Sequence, residues 1–309
     1  MNDKRAKPIR IRLRRGLTVL TIGVVGGLLT SYTGFLLLLI WQDTEPAQSP
    51  VCCTTPADWG AEYRDVELAS HGETLAGWYL PSRNGAAVIL LHSGGIHRMG
   101  VEREARVLSA EGYGILMYDR RAHGESTGSV NSGGWQDLED MPAVLDFLRQ
   151  QSALDFERLG IFGTSMGGQV ALRAAAKHPE LKAVMVDGPS LCGIRDHLPF
   201  SQLSWKYRYW RVLSWLAAPV FELRLGMRQP PSVVDVIANI SPRPLLLIST
   251  DALETRVVSR YFAFAEQPKT LWQIPEAGHG GGFAARPEEY ARRLVRFFDR
   301  TLLRSGPRL

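Results

Sequence analysis

Ser165 lies in Gly163-Thr164-Ser165-Met166-Gly167-Gly168, a Gly-x-Ser-x-Gly pattern, and His279 lies much later in Ala277-Gly278-His279-Gly280. A serine hydroxyl is a poor nucleophile until a positioned imidazole removes its proton, so this pair of residue types points to acyl transfer through a covalent serine ester. Glycines beside Ser165 permit a turn whose backbone angles would clash with a Cβ, and glycines beside His279 let its loop reach inward. The pentapeptide alone is weakly specific; its surroundings sharpen it. The apolar run Leu159–Gly163 leads straight into Ser165, and the Ala-rich stretch Met166–His178 follows, stopped before Pro179. A strand-to-helix turn of this kind holds the hydroxyl at a helix N-terminus, where free N–H groups and the helix dipole favour developing negative charge. No His-Glu-x-x-His and no paired Cys-x-x-Cys occurs, so no metal site is expected.

The elements needed to position such a pair are visible as alternating patterns from about Arg64 onward. Val66–Leu68 and Leu75–Leu80 predict a hairpin around His71-Gly72-Glu73. Continuous apolar runs at Ala86–Leu91, Gly114–Tyr118, Leu159–Gly163, Ala183–Asp187, Pro244–Ser249 and Thr270–Ile274 predict strands, most of them buried on both faces. Helical spacing is found at Val101–Gly112, Trp135–Gln151, Met166–His178, Arg256–Glu266 and Pro287–Leu303. Strand and helix alternating at this pitch mean a mostly parallel, doubly wound α/β sheet. Residues 189–241 break the rhythm and crowd aromatics: Phe200, Trp205, Tyr207, Tyr209, Trp210, Trp215 and Phe221. Insertions of this size sit above the carboxyl ends of the strands, where ligands bind, so a helical cap is expected, with Trp205 and Trp210 as candidate substrate contacts.

The chain has 309 residues, 45% of them hydrophobic, 9% aromatic and 22% charged, which excludes disordered, collagenous and disulfide-scaffold classes. Its net charge of +5 is not a nucleic-acid signal. Seven of the 36 Lys and Arg residues fall in the first 15 positions, leaving 29 basic and 30 acidic residues beyond them. That basic tail precedes a 27-residue stretch, Gly16 to Gln42, free of charge. As a helix it would run roughly 40 Å, enough to cross a hydrocarbon core of about 30 Å. Signal-peptide cores run only about 7–15 residues and end in a small-x-small site, so an uncleaved anchor is expected. Excess positive charge on the N-terminal flank assigns residues 1–15 to the cytoplasm and all that follows Gln42 to the far side. The expected organisation is a cytoplasmic tail 1–15, a transmembrane helix 16–42, a linker 43–60 and a catalytic domain 61–305. Cys52 and Cys53 lie in the linker, and a disulfide from one of them to Cys192 is left open.

Three further motifs fall into place in the strand order. His92-Ser93-Gly94-Gly95-Ile96-His97-Arg98 follows the Ala86–Leu91 run, Asp119-Arg120-Arg121-Ala122-His123-Gly124-Glu125-Ser126 follows Gly114–Tyr118, and Ala277-Gly278-His279-Gly280 follows the last strand. With the turn at Ser165 these resemble the α/β-hydrolase superfamily, in particular its esterases, lipases and related serine peptidases, over about Arg64 to Leu303. The resemblance implies an α/β-hydrolase fold with a helical cap, preceded here by the N-terminal transmembrane helix. It makes Ser165 the nucleophile and His279 the base, with His92 and His123 structural rings. The Met166 amide and that of Gly94 (or Gly95) form the oxyanion hole. Ser93 and Ala122 stand where the family usually has glycine. The family's chain order places the triad acid after Pro244–Ser249, at Glu254 or Asp251; Glu254 is favoured for its reach, and the other would cap the following helix.

Together these readings describe a membrane-anchored serine hydrolase that cleaves carboxylic esters or thioesters without a cofactor. Its expected partners are a small-molecule ester or lipid substrate and the membrane, with no nucleic acid. The competing readings are a serine aminopeptidase or acyltransferase on the same scaffold, and a non-catalytic binding module.

Overall fold

The computed structural model describes residues 6–202 and 204–303. Ten strands are β1 Ala47–Gln48, β2 Arg64–Ser70, β3 Glu73–Leu80, β4 Ala87–Leu91, β5 Gly114–Tyr118, β6 His123–Gly124, β7 Leu159–Thr164, β8 Leu181–Asp187, β9 Leu245–Ser249 and β10 Lys269–Gln273. The α-helices are α1 Ala6–Asp43, α2 Glu102–Ala110, α3 Asp137–Arg149, α4 Met166–Lys177, α5 Trp205–Leu225, α6 Val233–Val236, α7 Ala252–Phe264, α8 Gly282–Ala285 and α9 Pro287–Phe298. Eight strands form one sheet in the order β2-β3-β5-β4-β7-β8-β9-β10, antiparallel across β2-β3-β5 and parallel thereafter. This is the α/β-hydrolase fold.

Alternation along the buried strands divides the core into two layers. Ile89, Leu91 and Ile161 face α3, α4 and α7 through Val144, Leu145, Val170, Ala171 and Val258. Val88, Leu90 and Phe162 face α2 and α9 through Val101, Ala105, Leu108, Tyr290, Leu294 and Phe298. The parallel register then decides where chemistry can sit. Leu91 pairs with Gly163, Thr164 with Asp187, and Asp187 with Ile248. The loops that follow β4, β7, β8 and β9 therefore open at one common edge, the carboxyl end where doubly wound sheets bind ligands.

Several segments differ from the sequence expectation. The helix expected at Arg256–Glu266 begins at Ala252, because Asp251 caps it: its Oδ1 accepts from the amides of Leu253 at 2.8 Å and Glu254 at 2.9 Å. The stretch expected as a linker is packed on the domain. The Thr44 carbonyl accepts from Asn131, β1 pairs parallel with β6, and Trp59 lies under Arg106. Its backbone polar groups find partners that a Pro- and Thr-rich composition does not reveal. Cys52 is joined to Cys53, and Cys192 is unpaired, so the link to Cys192 is not made. The cap contains a long helix, α5, of 21 residues, ended by Gly226 in the left-handed region. Residues Leu17–Asp43 of α1 are long and apolar enough to cross a membrane.

Candidate active site

The turn at Ser165 is built by backbone approach. Ser165 has φ +51°, a value that non-glycine residues rarely adopt, and it joins β7 directly to α4. A Cβ on Gly163 would strike the Gly167 carbonyl, and one on Gly167 would strike the carbonyls of Leu91 and His92. Glycine at these two positions lets the turn close so sharply. Backbone bonds from the Ser165 amide to the Asp187 carbonyl and from the Ser190 amide to the Ser165 carbonyl, at 2.9 and 3.0 Å, hold it in place.

Ser165 Oγ lies 2.9 Å from His279 Nε2, and His279 Nδ1 lies 2.6 Å from Glu254 Oε2. In the tautomer this chain of contacts requires, Nδ1–H donates to the carboxylate and Nε2 accepts the serine proton. Glu254 is buried, and its Oε1 accepts from the Thr250 amide at 2.6 Å and the Thr250 hydroxyl at 2.9 Å. Its hydrogen bond to His279 holds the imidazole above its ordinary pKa, against partial burial, which pulls the other way. Of the two acids considered, Glu254 faces the imidazole and Asp251 caps α7. Asp251, Glu254 and His279 gather their donor atoms within 4.8 Å, but Asp251 Oδ1, Glu254 Oε2 and His279 Nδ1 already bond partners within the chain.

The Met166 amide opens α4 immediately after Ser165, at the helix start, where the leading N–H groups have no intrahelical carbonyl to reach. Gly94 lies against the Met166 side chain, where a Cβ would meet the Met166 methyl, and Gly95 has φ +72°. The loop expected to supply the second oxyanion donor is thus seated against the start of α4. His92 fixes that loop: Nε2 accepts from the Arg120 amide at 2.9 Å and Nδ1 meets the Ser93 carbonyl at 2.7 Å. Burial, with Arg120 nearby, keeps this ring well below its ordinary pKa and neutral. Asp119 ties the next turn together, accepting from the Arg98 amide and guanidinium and from the Glu125 amide at 2.7–2.8 Å. Ala122, at φ +60°, adopts the conformation expected of the usual glycine.

Asp187, at the end of β8, is a site-flanking residue the sequence reading did not single out. It is buried, within reach of the Glu254 and His279 charges, and accepts from the Tyr290 hydroxyl at 3.0 Å through Oδ2, while Oδ1 has no partner among the described residues. Burial pushes its carboxyl up to about 7; the Tyr290 bond opposes this and the Glu254 charge adds to it. The only signal for it in sequence was an acid closing an apolar run. Thr250, which anchors Glu254, gave no signal. Trp205 is 82% exposed at the start of α5, and no described contact joins it to the Ser165–His279 pair. The side chain of Trp210 lies outside the described residues.

Comparison with known proteins agrees with this fold. A model of the alpha/beta hydrolase fold family matches residues 86–218. The uncharacterised protein YfhR of Escherichia coli K12 is 26% identical over 258 residues, covering 78% of this chain and 82% of its own. The thiohydrolase aneE of Aspergillus aculeatus is 30% identical over 128 residues, 40% of either chain. Among solved structures, an esterase of Pyrococcus furiosus superposes with a TM-score of 0.65 at 27% identity, over 82% of this chain and 97% of that one.

Proposed function

Proceeding from a chain that belongs to the α/β-hydrolase superfamily, we propose that this hydrolase is a serine enzyme cleaving carboxylic esters or thioesters through an acyl-serine intermediate, tethered to a membrane by α1. The observation that carries the reading is the continuous chain from Glu254 through His279 to Ser165, at 2.6 and 2.9 Å. Ser165 Oγ attacks the acyl carbon as its proton passes to His279 Nε2. The carbonyl electron pair moves onto oxygen, giving a tetrahedral oxyanion next to the amides of Met166 and Gly94. Each such donor lowers the barrier by about 3–4 kcal/mol. Glu254 stabilises the imidazolium without taking its proton. Collapse breaks the acyl C–O or C–S bond, and the leaving group takes the proton from His279. Water then repeats the sequence on the acyl-serine and releases the acid.

The cap favours esters over peptides with a free amino terminus, which need an acid for the ammonium. Residues 189–241 contain three acids, Asp196, Glu222 and Asp235. Asp196 is buried and accepts from the amides of Cys192, Gly193, Val233 and Val234, Glu222 accepts from the Gln229 amide, and Asp235 pairs with Arg195. All three are occupied within the cap. The tether reading rests on the uncharged span and its basic N-terminal flank; it puts the N-terminus in the cytoplasm and the catalytic domain outside it.

A fluorophosphonate probe tests the proposal. The wild-type chain is expected to be labelled and Ser165→Ala is not. A wild-type chain left unlabelled under conditions that label related esterases overturns the enzyme reading and leaves a binding module. An ester and thioester panel of graded acyl length then ranks substrates.

A further inference from the structure

Helix α5 turns an apolar face outward. Trp205, Val212, Leu216 and Leu223 recur at helical spacing along one side, with Trp215 beside them, and all are exposed: Leu223 by 83% and Trp215 by 62%. The stripe from Trp205 to Leu223 spans about five turns, roughly 27 Å. The helix packs on the domain through other side chains. On the flanks away from the stripe Leu213 is buried, and Phe221 meets Trp135 edge to face at 4.8 Å. A soluble cap would place its polar residues outward, so this face is inverted relative to the usual pattern.

The neighbour of this stripe identifies what covers it. The end of α1 packs against α5, and the Arg224 guanidinium lies 4.5 Å over the Trp41 ring. Thr44 is fully buried within three residues of Trp41, so almost no chain separates the apolar span from the domain. A bilayer crossed by α1 must therefore end close to the Leu223 end of the stripe. Charge agrees: residues 205–228 hold Lys206, Arg208, Arg211, Arg224 and Arg228 against the single acid Glu222. Trp, Tyr and Leu interleaved with Lys and Arg form the composition of a helix lying in the headgroup region.

We propose that the outer face of α5 is a membrane-docking surface, seated in the headgroup and upper acyl region of the leaflet that α1 enters and held there by anionic lipids. The proposal rests on the tether reading of α1, and its test separates the two. In the full chain carrying Cys192→Ala, single variants Leu216→Cys, Leu223→Cys, Leu28→Cys on α1 and Arg292→Cys on α9 are labelled with an environment-sensitive dye. Each is reconstituted into vesicles of phosphatidylcholine and phosphatidylglycerol with or without doxyl-labelled lipid. Quenching at 216 and 223 is expected to exceed that at 292 several-fold, and to fall when phosphatidylglycerol is omitted. Strong quenching at 28 with 216 and 223 no more quenched than 292 overturns the docking surface and leaves the tether. Quenching at 216 and 223 but not at 28 removes the tether and overturns the proposal, which seats α5 in the leaflet that α1 enters, and quenching at none of the three removes both. Dye at 223 shielded from water yet unquenched by doxyl lipid means a second protein copy covers the face, and overturns the proposal.

Discussion

Glu254 and Asp251 stand three positions apart with similar chemistry and play different parts, because one carboxylate meets an imidazole and the other meets the first amides of α7. Glu254→Gln is expected to lower kcat by roughly 10²–10⁴-fold while leaving the fold intact. Asp251→Ala should keep most of the rate and lose about 1 kcal/mol of stability as a helix cap. The imidazole must be neutral to accept the serine proton, so activity falls as pH drops through its raised pKa. The acidic limb of wild type should thus lie on the high side of an ordinary histidine, and in Glu254→Gln it should move to lower pH. A rate profile over pH for the three proteins checks both statements. Asp187 bears on stability with the opposite sign to a salt-bridged carboxylate. Its native pKa is raised from 3.8 to about 7, so in that window the unfolded chain has lost a proton the folded chain still holds. Stability therefore falls as pH rises through the window, by on the order of a few kcal/mol in total, and is unaffected below it. Asp187→Asn, which keeps an acceptor for Tyr290 and cannot ionise, should flatten that slope in urea unfolding measured across pH. A slope equal to wild type would show that Asp187 ionises normally in the native state.

At the scale of elements, the site depends on close backbone contacts between consecutive segments. Gly167 brings α4 against the carbonyl oxygens that end β4, where any Cβ collides with backbone that cannot swing away. Gly167→Ala should cost roughly 1–3 kcal/mol, or more, and reduce the rate of the proposed hydrolysis in the fraction that folds, since it pushes the Met166 amide away from the loop that contains Gly94. Gly278→Ala is the control. A methyl there meets open space, so its unfolding curve should match wild type. The turn after β5 depends on a buried ion pair: Arg98 is 2.8 Å from Asp119, also pairs with Glu125, and covers the Trp78 ring at 4.6 Å. Arg98→Met removes the cation and leaves the buried Asp119 carboxylate with backbone amide donors but no counter-ion, an expected loss of about 3–5 kcal/mol by urea titration. The strands were legible as elements because burial on both faces demands unbroken apolar runs. The start of α7 was not, because Asp251 reads equally as a loop residue, a triad acid or a cap until its neighbours in space are known.

On the scale of the whole molecule, the end of α1 and the cap helix α5 pack together. The basic flank and uncharged span are local properties of one segment and were readable directly. The packing of Thr44, β1 and Trp59 on the domain was not, since each makes its partner far along the chain. In sealed membranes, protease added from the non-cytoplasmic side should digest the domain after Gln42, and protease from the cytoplasmic side should spare it. Digestion only from the cytoplasmic side would reverse the proposed orientation.

What the sequence determined by itself was the set of chemical parts and their order: a serine between glycines, a late histidine, two neighbouring acids, and strands alternating with helices. Those are statements about local composition and period, which survive without coordinates. Only the tertiary structure decided which acid meets the imidazole, that Asp187 lies buried within reach of their charges, and that the cap helix shows its apolar side to the outside. Each of these turns on a direction in space, set by sheet register and by how one helix rolls against its neighbours, and side-chain spacing along a chain does not encode that roll.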